Sequence, residues 1–340
     1  MKILYGIQGT GNGHLSRAVD IIPCLQRHGQ VDILVSGTQG DLKLPFPVQF
    51  EVRGLSFIFG KSGGVDLWKT FAKANTRKLV RNIRRLPVKE YDLVISDFEP
   101  VTSWACYLQG KTCVALSHQS AVLAPEYPAA DTVDRMGKLI LGHYAPADHA
   151  YGFHFSGNGT NIFTPVIRNQ VRRHPVTNDG HYTVYLPAYD DRKLLKRLSD
   201  YPEARWEVFS KHNKKKITKD NITIRPIDGN AFTASMASSA GVLCGAGFET
   251  PAEALFLGKK LLVIPMKNQY EQHLNAAALK AMGVAVAKNL KVEHAAVIRD
   301  WLENGQPIPV DYPDRTQQII DGIVGRFGTS QASSDNYTPH

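Results

Sequence analysis

The sequence predicts two successive α/β units, each a parallel sheet covered by helices, with a cleft between them. Three observations carry this. At 340 residues the chain exceeds the size at which one hydrophobic core keeps growing, so two cores of roughly 150 residues each are expected. Short apolar runs alternate with helical patterns, the mark of strand, crossover helix and parallel strand. A glycine-rich turn joins a strand to a helix in each half, at 9–13 and again at 245–247.

In the first unit, 1–155, strands are expected at Lys2 to Ile7, Val31 to Ser36, Asp92 to Ser96 and Thr112 to Leu116. The helix after the first strand runs from about His14 to His28, with Gly29 as a left-handed C-terminal cap. From Tyr151 to Asp179 the chain is rich in Gly, Asn, Thr, Arg and Pro without periodicity, and reads as the connection between units. In the second unit, 165–328, strands are expected at His181 to Leu186, Trp206 to Ser210, Ile222 to Arg225, Gly241 to Cys244 and Lys260 to Ile264. Helices between them cover Tyr189 to Leu198, Asn230 to Ser238, Pro251 to Leu257 and Tyr270 to Met282. The polar tail 329–340 is expected to be loose.

Composition narrows the class. With 43% hydrophobic and 21% charged residues the chain is of ordinary globular type. No apolar stretch approaches the roughly 20 residues that cross a bilayer, and the chain enters its first strand with no signal-peptide pattern, so a cytoplasmic location is expected. Cys24, Cys106, Cys113 and Cys244 lack CxxC spacing or a nearby histidine pair; free thiols are expected rather than a zinc site or disulfides. The formal charge of +9 suits nucleic acid, anionic lipid or phosphorylated substrates equally.

Gly9-Thr10-Gly11-Asn12-Gly13-His14 follows a strand and opens a helix. Such a turn brings backbone close to a ligand and aims unpaired N–H groups at an anion. It is not the dinucleotide fingerprint, because the pattern is GxGxG followed by His and the second strand ends at Ser36 rather than at an acid. His14 then faces the cleft from the first helical turn, where the helix dipole favours a neutral ring able to act as a base; a hydrogen bond within the turn is the plainer alternative. Asp97 ends another strand and can orient that imidazole, or else caps the helix beginning near Pro100. The acidic pair of Asp97-Phe98-Glu99 lacks a completing set of oxygen ligands, so no metal is expected.

Cys244-Gly245-Ala246-Gly247-Phe248-Glu249-Thr250-Pro251-Ala252-Glu253 is the most informative stretch. The glycines offer N–H groups to a diphosphate, while Thr250 and Glu253 also fit a capping box that needs no ligand. After the next strand, Pro265 leads into Gln269-Tyr270-Glu271-Gln272, whose amides and carboxylate suit sugar hydroxyls.

These motifs resemble those of the family 28 (MurG-like) glycosyltransferases, which include the enzyme adding N-acetylglucosamine to the lipid-linked peptidoglycan precursor and are similar in fold to the UDP-glucuronosyltransferases. The resemblance covers both halves. It implies the GT-B fold, two Rossmann-like domains facing a central cleft, and a sugar transfer from a UDP-sugar co-substrate that inverts the anomeric centre without an essential metal or other cofactor. It implies that Glu253 holds the ribose, that Gly245, Gly247, Phe248 and Thr250 approach the diphosphate, that Arg168 neutralises phosphate, and that Glu271 and Gln272 meet the donor sugar. His14 would be the general base with Asp97 behind it, and Gly11, Asn12, Gly13, His118 and Gln119 would line the acceptor side. Leu186-Pro187-Ala188-Tyr189 lacks glycines the family carries there, and Ser210 with Lys211 would compensate.

The segment Leu67 to Leu86 interleaves Trp68, Phe71, Leu79, Val80, Ile83 and Leu86 with Lys69, Lys73, Arg77, Lys78, Arg81, Arg84 and Arg85. It fits a basic helix on an anionic membrane near a lipid-linked or glycan acceptor, and equally an ordinary helix packed on its apolar side. An epimerase on the same scaffold would share the donor loop and need no acceptor. Against a nucleic-acid partner stands the absence of an aromatic-basic RNA motif.

Overall fold

The computed structural model describes residues 1–37, 44–53, 76–124, 141–157, 159–267 and 269–328. Within them lie two seven-stranded sheets. The first contains β1 (Lys2–Gln8), β2 (Gln30–Ser36), β3 (Phe50–Val52), β4 (Leu93–Asp97), β5 (Val114–Ser117), β6 (His149–Phe153) and β7 (Ile162–Phe163). The second contains β8 (His181–Tyr185), β9 (Arg205–Ser210), β10 (Ile217–Lys219), β11 (Ile222–Pro226), β12 (Gly241–Gly245), β13 (Lys260–Ile264) and β14 (Ala285–Val286). Helices α1 (Asn12–Gln26), α2 (Thr76–Arg85), α3 (Pro100–Gln109), α4 (His118–Val122), α5 (Asn169–Arg172) and α6 (Asp191–Leu198) are followed by α7 (Gly229–Ser238), α8 (Glu249–Phe256), α9 (Tyr270–Ala281), α10 (Ala295–Asn304) and α11 (Thr316–Phe327).

Central strands such as β1 and β12 read as unbroken apolar runs because both faces are buried. All pairings are parallel except the β10–β11 hairpin. The first sheet runs β3-β2-β1-β4-β5-β6-β7 and the second β10-β11-β9-β8-β12-β13-β14. Strand order therefore reverses between β1 and β4, and between β8 and β12. At such switch points the loops beyond the carboxyl ends diverge to opposite faces and leave a crevice.

Several sequence expectations are revised. The stretch from Tyr151 is not only a connection, since β6 and β7 extend the first sheet inside it. Helix α1 ends at Gln26 with Arg27 in right-handed conformation. Gly29 lies in the turn into β2, where a Cβ would collide with the Met1 carbonyl oxygen. The basic run from Lys211 to Lys219 ends in β10. The last helix, α11, packs against α1 of the first unit and joins its core through Ile319, Ile320, Ile323 and Val324.

Residues 67–75 of the basic segment, and the tail 329–340, lie outside the described residues. In the remainder, α2 and the residue after it, Ile83 and Leu86 are buried and Leu79 half-buried with Leu4, Leu34, Val94 and Val101. Among the described residues of that stripe only Val80 faces outward, beside Arg77, Arg81, Arg84 and Arg85. The described part thus directs its apolar side inward. Among the described residues no helix is long and apolar enough to cross a membrane.

Because Ile320 fastens α11 to the first unit, Ile320→Ala is expected to lower stability by about 3 kcal/mol, read as an earlier urea transition. An unchanged midpoint would mean that α11 contributes nothing to that core.

Candidate active site

The loops after β1 and β4 place the first two side chains. Ile7 pairs with Asp97 in the sheet register, so the carboxyl ends of these strands lie side by side and His14, in the first turn of α1, reaches Asp97. His14 Nδ1 lies 2.7 Å from Asp97 Oδ1. Asp97 is fully buried. It also accepts from Arg17 Nη2 at 2.7 and 2.9 Å and from Arg17 Nε at 3.2 Å. Burial alone would raise the Asp97 pKa, but the Arg17 guanidinium and His14 hold it below the ordinary carboxylate range. Asp97 is then an acceptor only, so Nδ1 of His14 carries the proton and Nε2 is the basic atom.

Two expectations for this pair change. The helix dipole is expected to favour a neutral His14; burial and the Arg17 charge lower its pKa in the same sense, yet the charge and hydrogen bond of Asp97, aided by Glu249, leave it raised. The cap of α3 is Glu99, not Asp97: its carboxylate accepts from the Val101 and Thr102 N–H groups at 2.8 and 2.6 Å. Phe98 between them adopts a left-handed conformation, φ 54°, uncommon for a bulky residue. That reversal lets Asp97 and Glu99 serve opposite sides, while the Phe98 ring lies over His14 at 6.5 Å. Among the described residues no group of three or more His, Cys, Asp or Glu side chains is arranged around a metal position.

Arg17 was not anticipated, although its position one helical turn beyond His14 puts both on one face of α1. It is 1% exposed, and its Nη1 donates across the cleft to Glu249 Oε1 at 2.6 Å. Gly13 permits this approach, since a Cβ there would fall 2.5 Å from the Glu249 carboxylate.

In the second unit, α8 starts at Glu249 with Phe248 at the cap position and no side-chain cap. Thr250 is therefore inside the helix, and the capping box is not formed. Glu253 instead takes Arg168 Nε and Nη2 on its two carboxylate oxygens at 2.5 and 2.8 Å. Burial raises the Glu253 pKa above the ordinary carboxylate value, and Arg168 offsets only part of that rise. Gly247 has nothing within 4 Å of where a Cβ would stand, so its lack of a side chain leaves open space rather than relieving a clash.

That space is where three cavities meet, for Gly247 lines all of them. One of about 240 Å³ holds His14, Gly11, Gly13, Glu271 and Gln272. A second of about 410 Å³ holds Arg168, Glu253, Asn12, Ile227, Asp228 and Phe232. The third, about 640 Å³, is bounded by the ends of β8, β12 and β13 and carries Lys193, Lys267, Lys288 and Lys291 against one acid, Glu293. Neither the 227–232 segment nor this basic cavity stood out in the sequence, because no local pattern marks them.

Five other expected residues are held by partners of their own. His118 borders the His14 cavity but is buried: its ring nitrogens face the Phe153 carbonyl at 2.8 Å and Asn275 Oδ1 at 2.7 Å, and burial lowers its pKa. Phe248 stacks on that imidazole at 3.9 Å and lines the cavities of both His14 and Glu253. Gln119 donates to Glu271 at 3.1 Å. The Ser210 hydroxyl binds Asp191 and the His212 N–H, and neither Ser210 nor Lys211 lines the three cavities.

The family described as Glycosyl transferase family 1 matches residues 1–305. No curated protein matches the chain. Among solved structures, MurG of Acinetobacter baumannii is similar with a TM-score of 0.57 at 15% identity, over 96% of this chain and 100% of that one. The Streptomyces sp. SF2575 glycosyltransferase SsfS6, complexed with thymidine diphosphate, gives 0.55 at 15% over 96% and 95%. A UDP-N-acetylglucosamine 2-epimerase gives 0.56 at 14% over 99% of both chains. Identities this low establish the fold, and that fold is the GT-B arrangement the motifs implied.

The Asp97 contribution to stability is present above the ordinary carboxylate pKa and lost as pH falls through its lowered folded value. The His14 contribution is present below the ordinary imidazole pKa and lost as pH rises through its raised one. Both act fully between about pH 4 and pH 6.5. Asp97→Asn is therefore expected to cost more stability near pH 6 than near pH 9 in urea titrations. Equal losses at both would show that His14 draws nothing from Asp97.

Proposed function

The chain belongs to glycosyl transferase family 1, and from that premise we propose that it moves a sugar from a uridine or thymidine diphosphate donor to an acceptor hydroxyl, inverting the anomeric centre without a required metal. The observation that carries this reading is the convergence on Gly247: a ligand lying against that backbone reaches the Glu253 cavity on one side and the His14 cavity on another.

In this reading the nucleoside enters the cavity of Ile227, Phe232 and Glu253. Arg168 fixes the Glu253 carboxyl by two hydrogen bonds, and its remaining lone pairs accept from the ribose hydroxyls. The diphosphate lies along Gly245 to Thr250, where the N-terminus of α8 and the basic cavity stabilise the charge that develops on it as the sugar leaves. Glu271 and Gln272 meet the sugar. Nε2 of His14 takes the proton of the acceptor hydroxyl, whose oxygen attacks the anomeric carbon from the face opposite the departing diphosphate. A single displacement of this kind inverts configuration.

The acceptor side is the first unit, around Gly11, Gly13 and His14. A lipid-linked or glycan acceptor of the cell envelope remains the proposal for it. Contact of α2 with an anionic surface at that side rests on Arg77, Arg81, Arg84 and Arg85, since the apolar residues of α2 other than Val80 pack inward.

In a thermal-shift panel of nucleotide sugars, a uridine or thymidine donor is expected to stabilise the protein, and Glu253→Ala to abolish most of that shift; an undiminished shift would refute the ribose assignment. His14→Ala is expected to keep the donor-induced shift while release of nucleotide in the presence of an acceptor falls by 10²-fold or more. Release that needs no acceptor, or that survives the substitution, would overturn the transfer mechanism.

A further inference from the structure

Arg17 is one guanidinium shared by two carboxylates from different units. Asp97 comes from β4 of the first sheet and Glu249 from the first turn of α8 in the second. Asp97 in turn holds His14. The four side chains form one continuous path, His14, Asp97, Arg17, Glu249, that crosses the cleft beside Gly247. Asp97 and Arg17 are buried and Glu249 is partly open to the cleft.

We propose that Arg17 is a positioning residue through which Glu249 governs the His14–Asp97 pair, so that the pair is set for proton transfer only when the two units are docked. The inference rests on His14 serving as the base. Asp97 can orient His14 strongly only while part of the Arg17 charge is compensated elsewhere, and Glu249 supplies that compensation. When Glu249 draws away, the full guanidinium charge falls on Asp97, the carboxylate pulls less on Nδ1–H, and Nε2 becomes less basic. A base that reaches its full strength only in the docked state acts once donor and acceptor are both enclosed.

The charged and titratable groups facing His14 are few. Arg17 lies on its own helix with Nη2 3.3 Å from His14 Nδ1, Asp97 on β4 and Glu249 on α8. Tyr5 of β1 donates to Asp97 at 3.4 Å, and Glu271 and His118 border the same cavity. None of the last three bonds to Arg17.

The test is a ¹⁵N-histidine NMR titration of the full chain, with His14 assigned through His14→Gln. Glu249→Gln keeps an acceptor for Arg17 while losing the charge, and is expected to lower the His14 midpoint. Arg17→Gln removes the opposing charge and is expected to raise it. In the double variant the effect of Glu249→Gln is expected to shrink to less than half, because the route through Arg17 and Asp97 is gone and only the direct charge of Glu249 on His14 is left. An equal effect in both backgrounds, or no effect of Glu249→Gln in the wild type, would overturn the coupling. Should Arg17→Gln fail to fold, Arg17→Lys keeps the charge but not the two-sided fork, and the coupling requires that Glu249→Gln shift the midpoint less in that background; an undiminished shift sinks it. Because the titration reads His14 without any sugar transfer, failure of the coupling and failure of the proposed reaction are separable.

Discussion

A buried guanidinium must find compensation for its charge, and in this protein it cannot do so within one half of the molecule. Arg17 is almost entirely shielded from water, where an unpaired charge would be strongly destabilising. Asp97 answers one edge of it and Glu249 another. The same constraint fixes local choices around it. Gly13 leaves room for the Glu249 carboxylate, and Phe98 takes a strained backbone so that Asp97 turns to the cleft while Glu99 turns to a helix end. The interface of the two units is thereby polar and directional at its centre. His118, stacked on Phe248 and facing Asn275, closes it with an aromatic contact.

The sheets explain why these residues meet. In each unit the strand order reverses once, next to the first strand of that unit. The reversal at β1 and β4 delivers the turn 9–13 and Asp97 to one crevice. The reversal at β8 and β12 delivers the loop after Leu186 and Gly247 to the other. Facing crevices make one cleft, and the cavities share Gly247 because it stands at the carboxyl end of a strand on the edge of the second crevice.

Much of this was legible from local pattern. Short apolar runs such as Leu93 to Ile95 or Leu261 to Ile264, bounded by turn residues, read as buried strands, and glycines between such a run and a helix mark a close approach of backbone. Short edge strands escaped, because β3, β7, β10 and β14 have two or three residues each, too few for any periodicity. The roles that escaped are those set by partners distant in sequence. Nothing near Arg17 announces Glu249, and nothing near Ser210 announces that Asp191 takes its hydroxyl. His118 follows a strand as an exposed ligand-binding histidine would, and only the packing of the second unit against it makes it a buried contact.

Glu253 shows the same competition in one residue. Thr250, Pro251 and Glu253 satisfy the local rule for a helix start, so sequence alone favours a cap. The helix instead begins two residues earlier and Arg168, distant in the chain, takes the carboxylate. A cap would have turned Glu253 back along its own helix; the ion pair turns it toward the cavity of Asp228 and Phe232. Charge is then divided around Gly247. Acids dominate the cavities of His14 and Glu253, lysines the third. An anion arriving at that glycine is drawn toward the lysines and the N-terminus of α8, and groups rich in hydroxyls are left to the carboxylates. A ligand that is a diphosphate between two polyhydroxyl ends satisfies both demands at once, whereas an anion alone leaves the acidic cavities without donors.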